Sequence, residues 1–255
     1  MRGLDIFKQH FAGFEDCYVL IGGGACTILL EEAGGHFRAT KDLDVVLIVE
    51  NIGSEFAERF WSFVKQGKYQ FGFTEQSRGH YYRFEKPENE AFPVMLELFS
   101  RIPEGRGLKM GSHLLPLHIA DDVSSLSAIL LIDEYYDFLK EGAVRVNGIS
   151  ILDEKHLIPF KAKAWCDLMD RHLAGEKGLS KHIKKHVKDV VTLLTLVSED
   201  EKINLSGGIL DDMTRFVRAM QLLDVSESTT GVKNMTTKRF CNLLVSLYGL
   251  NSIEN

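Results

Sequence analysis

The chain has 255 residues, of which 45% are hydrophobic and 26% charged, with a net charge of -6. That length can bury one large or two modest cores, and the acidic balance excludes a globally basic nucleic-acid binder while leaving room for a local basic face. Cys17, Cys26, Cys166 and Cys241 are scattered without a CxxC pair or a Cys/His cluster, which argues against zinc and for buried, reduced thiols.

No signal-type apolar stretch follows Met1-Arg2-Gly3-Leu4-Asp5, and no segment reaches the roughly 18 apolar residues a membrane span requires. The expectation is a cytoplasmic location and no membrane partner. In chain order, residues 5–16 carry a helical pattern through Ile6, Phe7, Phe11 and Phe14. The apolar run Tyr18-Val19-Leu20-Ile21 stops at Gly22-Gly23-Gly24, and Ala25 to Glu32 reads as a helix ended by Gly34-Gly35. A β-rich run follows from Leu43 to Val49, then a helix over Gly53 to Lys65. Tyr69 to Thr74 and His80 to Glu85 read as strands around a Ser77-Arg78-Gly79 turn, and Val94 to Phe99 as a further strand. Arg101 to Met110 reads as loop. Ser125 to Lys140 reads as a helix, and Val144 to Ile151 as a hairpin about Asn147-Gly148. Four helices are expected thereafter, over Glu154 to Leu173, Lys181 to Ser198, Gly207 to Leu223 and Thr236 to Leu250. The expected fold class is α/β (α+β), with a mixed-sheet domain over residues 1–152 and a helical domain over 153–255.

The chemistry concentrates in the first of these. Glycines between a strand and a helix let backbone approach a ligand closely, and the helix start presents unpaired N–H groups suited to phosphate. Gly22, Gly23 and Gly24 hold that position. Asp42 and Asp44 stand two apart at the head of an apolar strand, so both carboxylates point to one face while Leu43 points into the core. Two adjacent carboxylates repel unless a positive charge lies between them, and Mg²⁺ (or Mn²⁺) answers that need. Glu97 sits mid-strand among apolar residues, where a lone acid is costly to bury unless paired or on metal. If the two strands are neighbours, Glu97 completes a three-carboxylate, two-metal site. Taken singly, a glycine run marks a turn, Asp-x-Asp a surface loop, and Glu97 an edge residue facing water. Their order and setting make the combination specific.

This order of motifs resembles the nucleotidyltransferase (polymerase β-like) superfamily, whose signature is a Gly-Gly or Gly-Ser helix start, then Asp-x-Asp, then a third acid on a later strand. Within it, Gly23-Gly24-Ala25 or Gly22-Gly23-x-Ala25, followed by Arg38-x-Thr40-x-Asp42-Leu43-Asp44, resembles the AbiEii/MenT-type nucleotidyltransferases, the enzymatic toxin half of some bacterial toxin–antitoxin pairs. Lys161-Ala162-Lys163-Ala164-Trp165 and Lys188-Asp189-Val190-Val191-Thr192-Leu193 resemble that group's two later helical motifs, with Thr192 standing where the group has a second Asp. The likeness spans roughly residues 18 to 195.

The resemblance implies a nucleoside triphosphate substrate and transfer of a nucleoside monophosphate to an acceptor hydroxyl, on tRNA or protein, with an antitoxin as partner. It implies catalytic and metal-binding roles for Asp42, Asp44 and Glu97 and nucleotide contacts from Gly22, Gly23, Gly24, Arg38 and Thr40. It also turns Lys161 from a lysine laying its stem on the core into a cation over the phosphates, with Lys163 as its rival. Asp189 is then a partner for Lys161 or for Arg171. The basic run Lys177, Lys181, His182, Lys184, Lys185, His186 and Lys188 reads as a solvated helix face or as a landing surface for an RNA backbone. Two rival readings stay open: a nucleotidyltransferase acting on a small antibiotic-type molecule, and a non-catalytic nucleotide-binding module of the same fold.

Overall fold

The computed structural model describes residues 1–71, 81–100 and 132–250. The turn expected at Ser77-Arg78-Gly79, the loop expected over Arg101 to Met110 and the 125–131 portion of an expected helix lie outside the described residues, as do His80, His113 and His118. The fold is mixed α/β. The chain divides into two compact units, one of residues 1–131 and 139–153, the other of 132–138 and 154–255.

In the first unit, α1 (Leu4–His10) precedes β1 (Tyr18–Ile21), and α2 (Gly22–Glu32) follows β1 without a loop. The helical pattern read over residues 5–16 is cut short at His10, and Gly13 then turns the chain at φ 87°. Helix α2 starts three residues earlier than the Ala25 start expected from sequence, because Gly22 takes φ 63° and swings the strand directly into the helix. At its other end Gly34 takes φ 75°, and the Gly35 amide donates back to the Leu30 carbonyl at 2.7 Å, a glycine stop of the kind the sequence pattern predicts.

Next come β2 (Asp42–Leu47), α3 (Ser54–Gly67), β3 (Gln70–Phe71), β4 (Tyr81–Glu85) and β5 (Met95–Ser100). The chain then reaches α4 (Asp133–Glu141), whose residues are shared between the two units, and the hairpin β6 (Ala143–Val146) and β7 (Ile149–Leu152). The described strands form one sheet in the order β3-β4-β5-β2-β1-β7-β6. The pairs β2–β5 and β1–β7 are parallel and the remaining pairs antiparallel. Asn147 and Gly148 both take positive φ, 51° and 76°, as a two-residue hairpin turn requires. Phe56, Phe60, Phe63 and Val64 recur at helical spacing on α3 and are buried, meeting Phe7 of α1, Phe11 just after it, Tyr69, Phe84 and Phe92 in an aromatic core. These aromatic residues therefore serve packing, each removing large apolar area from water.

The second unit is helical: α5 (Glu154–Leu173), α6 (Ser180–Leu194), α7 (Gly207–Met220), the single turn α8 (Glu227–Thr230) and α9 (Thr237–Tyr248). Helix α5 packs on α6 and α7, and Leu157, Ile158, Ala162, Trp165 and Leu168 along it are buried. Trp165 meets Phe216 edge-on at 5.4 Å, and Phe216 meets Phe240 at 6.3 Å. The Tyr248 hydroxyl donates to the Lys155 carbonyl at 2.7 Å and ties α9 to the start of α5. All four cysteines are buried and unbridged, and burial pushes the Cys166 thiol up to about 12. No described helix is long and apolar enough to cross a membrane.

Candidate functional site

The site grows out of one row across the sheet. Parallel pairing of β2 with β5 sets Asp44 opposite Glu97, antiparallel pairing of β4 with β5 sets Arg83 opposite Glu97, and antiparallel pairing of β1 with β2 sets Ile21 opposite Asp44. Residues in register across a sheet share a face, so Arg83, Glu97 and Asp44 line up side by side. The neighbouring row runs Phe84, Leu96, Leu43 on the opposite face, at 1%, 0% and 0% exposure. Core burial of that row is what holds the charged row in place: a one-residue slip would drive Leu43 and Leu96 out and the carboxylates in. Asp42 lies one row further along the charged face, opposite Met95. Asp42 and Asp44 are part-buried, whereas Glu97 is 5% exposed.

A carboxylate buried that deeply needs compensation. Arg83 provides it, donating from Nε at 2.9 Å and Nη2 at 2.7 Å to Glu97 Oε1. Sequence reading missed Arg83. Its signal was a charged residue inside the short strand Tyr81–Glu85, next to Phe84, which reads as a solvent-facing position when the neighbouring strand is unknown.

The glycines meet the acids at the start of α2. A Cβ placed on Gly22 would lie 1.8 Å from Asp44 Oδ2, so this carboxylate rests directly over the Gly22 backbone. A Cβ on Gly23 would lie 2.5 Å from Thr40 Oγ1, and one on Gly24 would lie 3.2 Å from the Leu43 side chain. The N-cap residue of α2 is Ile21, whose side chain makes no cap to the first amides, the groups of a helix start that bind anions. Thr40 precedes β2 rather than lying on it and packs over Gly23. Arg38 is exposed, with its guanidinium 4.9 Å from the centre of the Phe37 ring.

Gly22 therefore carries a sharp expectation. Gly22→Ala adds strain from a positive φ, about 1–2 kcal/mol, and a steric conflict with Asp44 that is relieved only by moving the carboxylate. The variant should melt lower than wild type and lose any activity that depends on Asp44; a thermal melt and an activity assay on the same sample check both.

Asp42 and Asp44 offer hard oxygen donors of the kind Mg²⁺ and Mn²⁺ prefer. Among the described residues, however, no three His, Cys, Asp or Glu side chains are gathered as a group that could hold a metal ion. The register places the acids side by side, while Arg83 holds the Glu97 carboxylate. Asp42 and Asp44 are the carboxylates that would hold a divalent cation here, and Glu97 is held by Arg83.

The other two residues singled out from sequence belong to the second unit. Lys161 on α5 and Asp189 on α6 are 8% and 1% exposed, and Lys161 Nζ donates to Asp189 Oδ2 at 3.1 Å. Arg171, the alternative partner for Asp189, donates to Glu176. Lys163 pairs with Asp167 at 2.9 Å and Asp212 at 3.5 Å. Burial works against its charge, but those two acids outweigh it and raise its pKa. Thr192 donates its hydroxyl to the Lys188 carbonyl one turn back. In the basic run, Lys177, Lys181, Lys184, Lys185 and Lys188 are exposed or part-exposed, whereas Ile183, Asp189 and Val190 of the same segment are buried.

No protein-family model matches this chain, and no curated protein matches it significantly.

Proposed function

We propose that the protein is a metal-dependent nucleotidyltransferase that moves a nucleoside monophosphate from a nucleoside triphosphate to an acceptor hydroxyl, on the polymerase β-like fold. The observation that carries this reading is the seat of Asp44: in register with Glu97 on one side, and over Gly22 at the start of α2 on the other. Acids beside a helix N-terminus suit a ligand that combines phosphate with a divalent cation. On this reading Asp42 and Asp44 hold Mg²⁺ or Mn²⁺. When bound, the cation would neutralise charge on the triphosphate and stabilise the departing pyrophosphate. The amides of Gly22, Gly23 and Gly24 take phosphate oxygens, Thr40 and Arg38 border the nucleotide, and Glu97 receives the proton of the acceptor hydroxyl.

The acceptor class follows from the resemblance and from the lysines of α6: a tRNA or a protein hydroxyl, with a toxin role and an antitoxin partner as its corollary. The test is label transfer. Protein, Mg²⁺ and each α-labelled nucleoside triphosphate are incubated with total RNA and with a protein extract. Label on one macromolecule, lost when Asp42 and Asp44 are replaced, supports the proposal; label on nothing with all four nucleotides counts against it. The Arg83–Glu97 ion pair favours a second reading, a non-catalytic nucleotide-binding module, and nucleotide binding without transfer would select it.

A further inference from the structure

We infer that Arg83 is a resident counter-cation that occupies Glu97 in the absence of nucleotide, so that a divalent cation first binds through Asp42 and Asp44 alone. The inference rests on the proposed metal site and deepens it. Arg83 is a positioning residue: it acts through Glu97. Three observations carry it. Arg83, Glu97 and Asp44 occupy consecutive places in one row of the sheet, so the guanidinium and a cation on Asp44 would approach Glu97 from opposite sides. Arg83 places two N–H groups on one Glu97 oxygen, at 2.9 and 2.7 Å, and Glu97 is the most buried of the three acids. Asp42 shares that face of β2, two positions from Asp44, so two further carboxylates stand on the side of Glu97 away from Arg83.

The chemistry is a competition between two cations for one carboxylate. A buried carboxylate needs one positive partner, and the first to hold it raises the cost of engaging the second. An arginine is always charged and its donors are fixed in a fork, so it does not leave by losing a proton. Release requires another anion to draw it away. A triphosphate is such an anion, and arginine binds phosphate with the same fork. The third acid thereby becomes available only with nucleotide, which keeps a complete metal site from assembling on an empty enzyme.

The test uses Mn²⁺ alone, without nucleotide, read by the loss of the free-ion electron paramagnetic resonance signal on full-length protein. Arg83→Gln should bind Mn²⁺ at least tenfold more tightly than wild type, because Glu97 then joins the donor set. Glu97→Gln in the wild-type background should change Mn²⁺ affinity by less than about twofold, since that carboxylate is already engaged. Asp44→Asn should abolish binding. Equal or weaker binding by Arg83→Gln, or a tenfold loss in Glu97→Gln, overturns the inference while leaving the metal site standing. If Arg83→Gln fails to fold, the Glu97→Gln arm decides alone. Absence of Asp44-dependent Mn²⁺ binding in wild type and Arg83→Gln alike overturns the metal site itself, and the inference with it.

Discussion

Asp44→Ala should reduce the proposed nucleotidyl transfer at least about a thousandfold, on the order of 4 kcal/mol of transition-state stabilisation, while leaving the fold intact. The size of the loss follows from position. Asp44 stands where the charged row of the sheet meets the first turn of α2, in register with Glu97 and over Gly22. Any cation bridging the acids to a phosphate on the helix amides would lose its central ligand. Stability should change little, within about 1 kcal/mol, because the residue is part-buried and its removal relieves repulsion between neighbouring carboxylates. Asp42→Ala should behave similarly. Kinetics and a denaturant melt on the same preparations separate the two effects: a large loss of activity together with a large loss of stability would reassign Asp44 to a structural role.

Asp189→Ala should destabilise the helical unit by up to about 3–5 kcal/mol, because it removes a buried carboxylate to which Lys161 donates. The pair lies at 8% and 1% exposure between α5 and α6, so solvent does little to screen it. Replacing both members, Lys161→Met with Asp189→Leu, should recover most of that loss, since an apolar pair of similar volume avoids desolvating two ions. The double variant also separates two meanings of the lysine. If Lys161 serves only packing, a refolded double variant keeps wild-type activity. If it carries the role that the family resemblance implies, activity is lost although the melt is normal. Lys163, paired with Asp167 and Asp212, should tolerate replacement by Met with a smaller penalty, about 1 kcal/mol, because its partners are part-exposed.

The parts of the site that were legible in the sequence are those written in local pattern. Asp42-Leu43-Asp44 announces its own geometry, because alternation along a strand sends the two acids one way and Leu43 the other. Glu97 stood out as an acid in an apolar strand, and Asn147-Gly148 as a hairpin turn whose two residues both take positive φ. What required the structure was pairing between distant segments. Nothing local in Val94 to Phe99 states that β5 lies parallel to β2 with Glu97 opposite Asp44; that register comes from burying Leu43, Leu96 and Phe84 together. Arg83 was invisible for the same reason, since its meaning depends on which residue faces it from the next strand.

The second unit shows the same division. Helical periodicity located α5 and α6 closely, yet Asp189 had two candidate partners, Lys161 and Arg171. Packing of α5 on α6 selects Lys161, while Arg171 closes on Glu176 five residues away. The start of α2 was misplaced by three residues because a glycine run reads as a loop, and only the positive φ of Gly22 turns strand into helix at once.

The central claim is that Asp42 and Asp44 bind a nucleotide through a divalent cation, and isothermal titration tests it most directly. Each of the four nucleoside triphosphates is titrated into wild type and into the Asp42→Ala/Asp44→Ala variant, with and without Mg²⁺. The predicted result is saturable binding of at least one nucleotide that requires Mg²⁺ and disappears in a folded double variant. Binding that is indifferent to Mg²⁺ and to both aspartates, or no binding of any nucleotide, would contradict it.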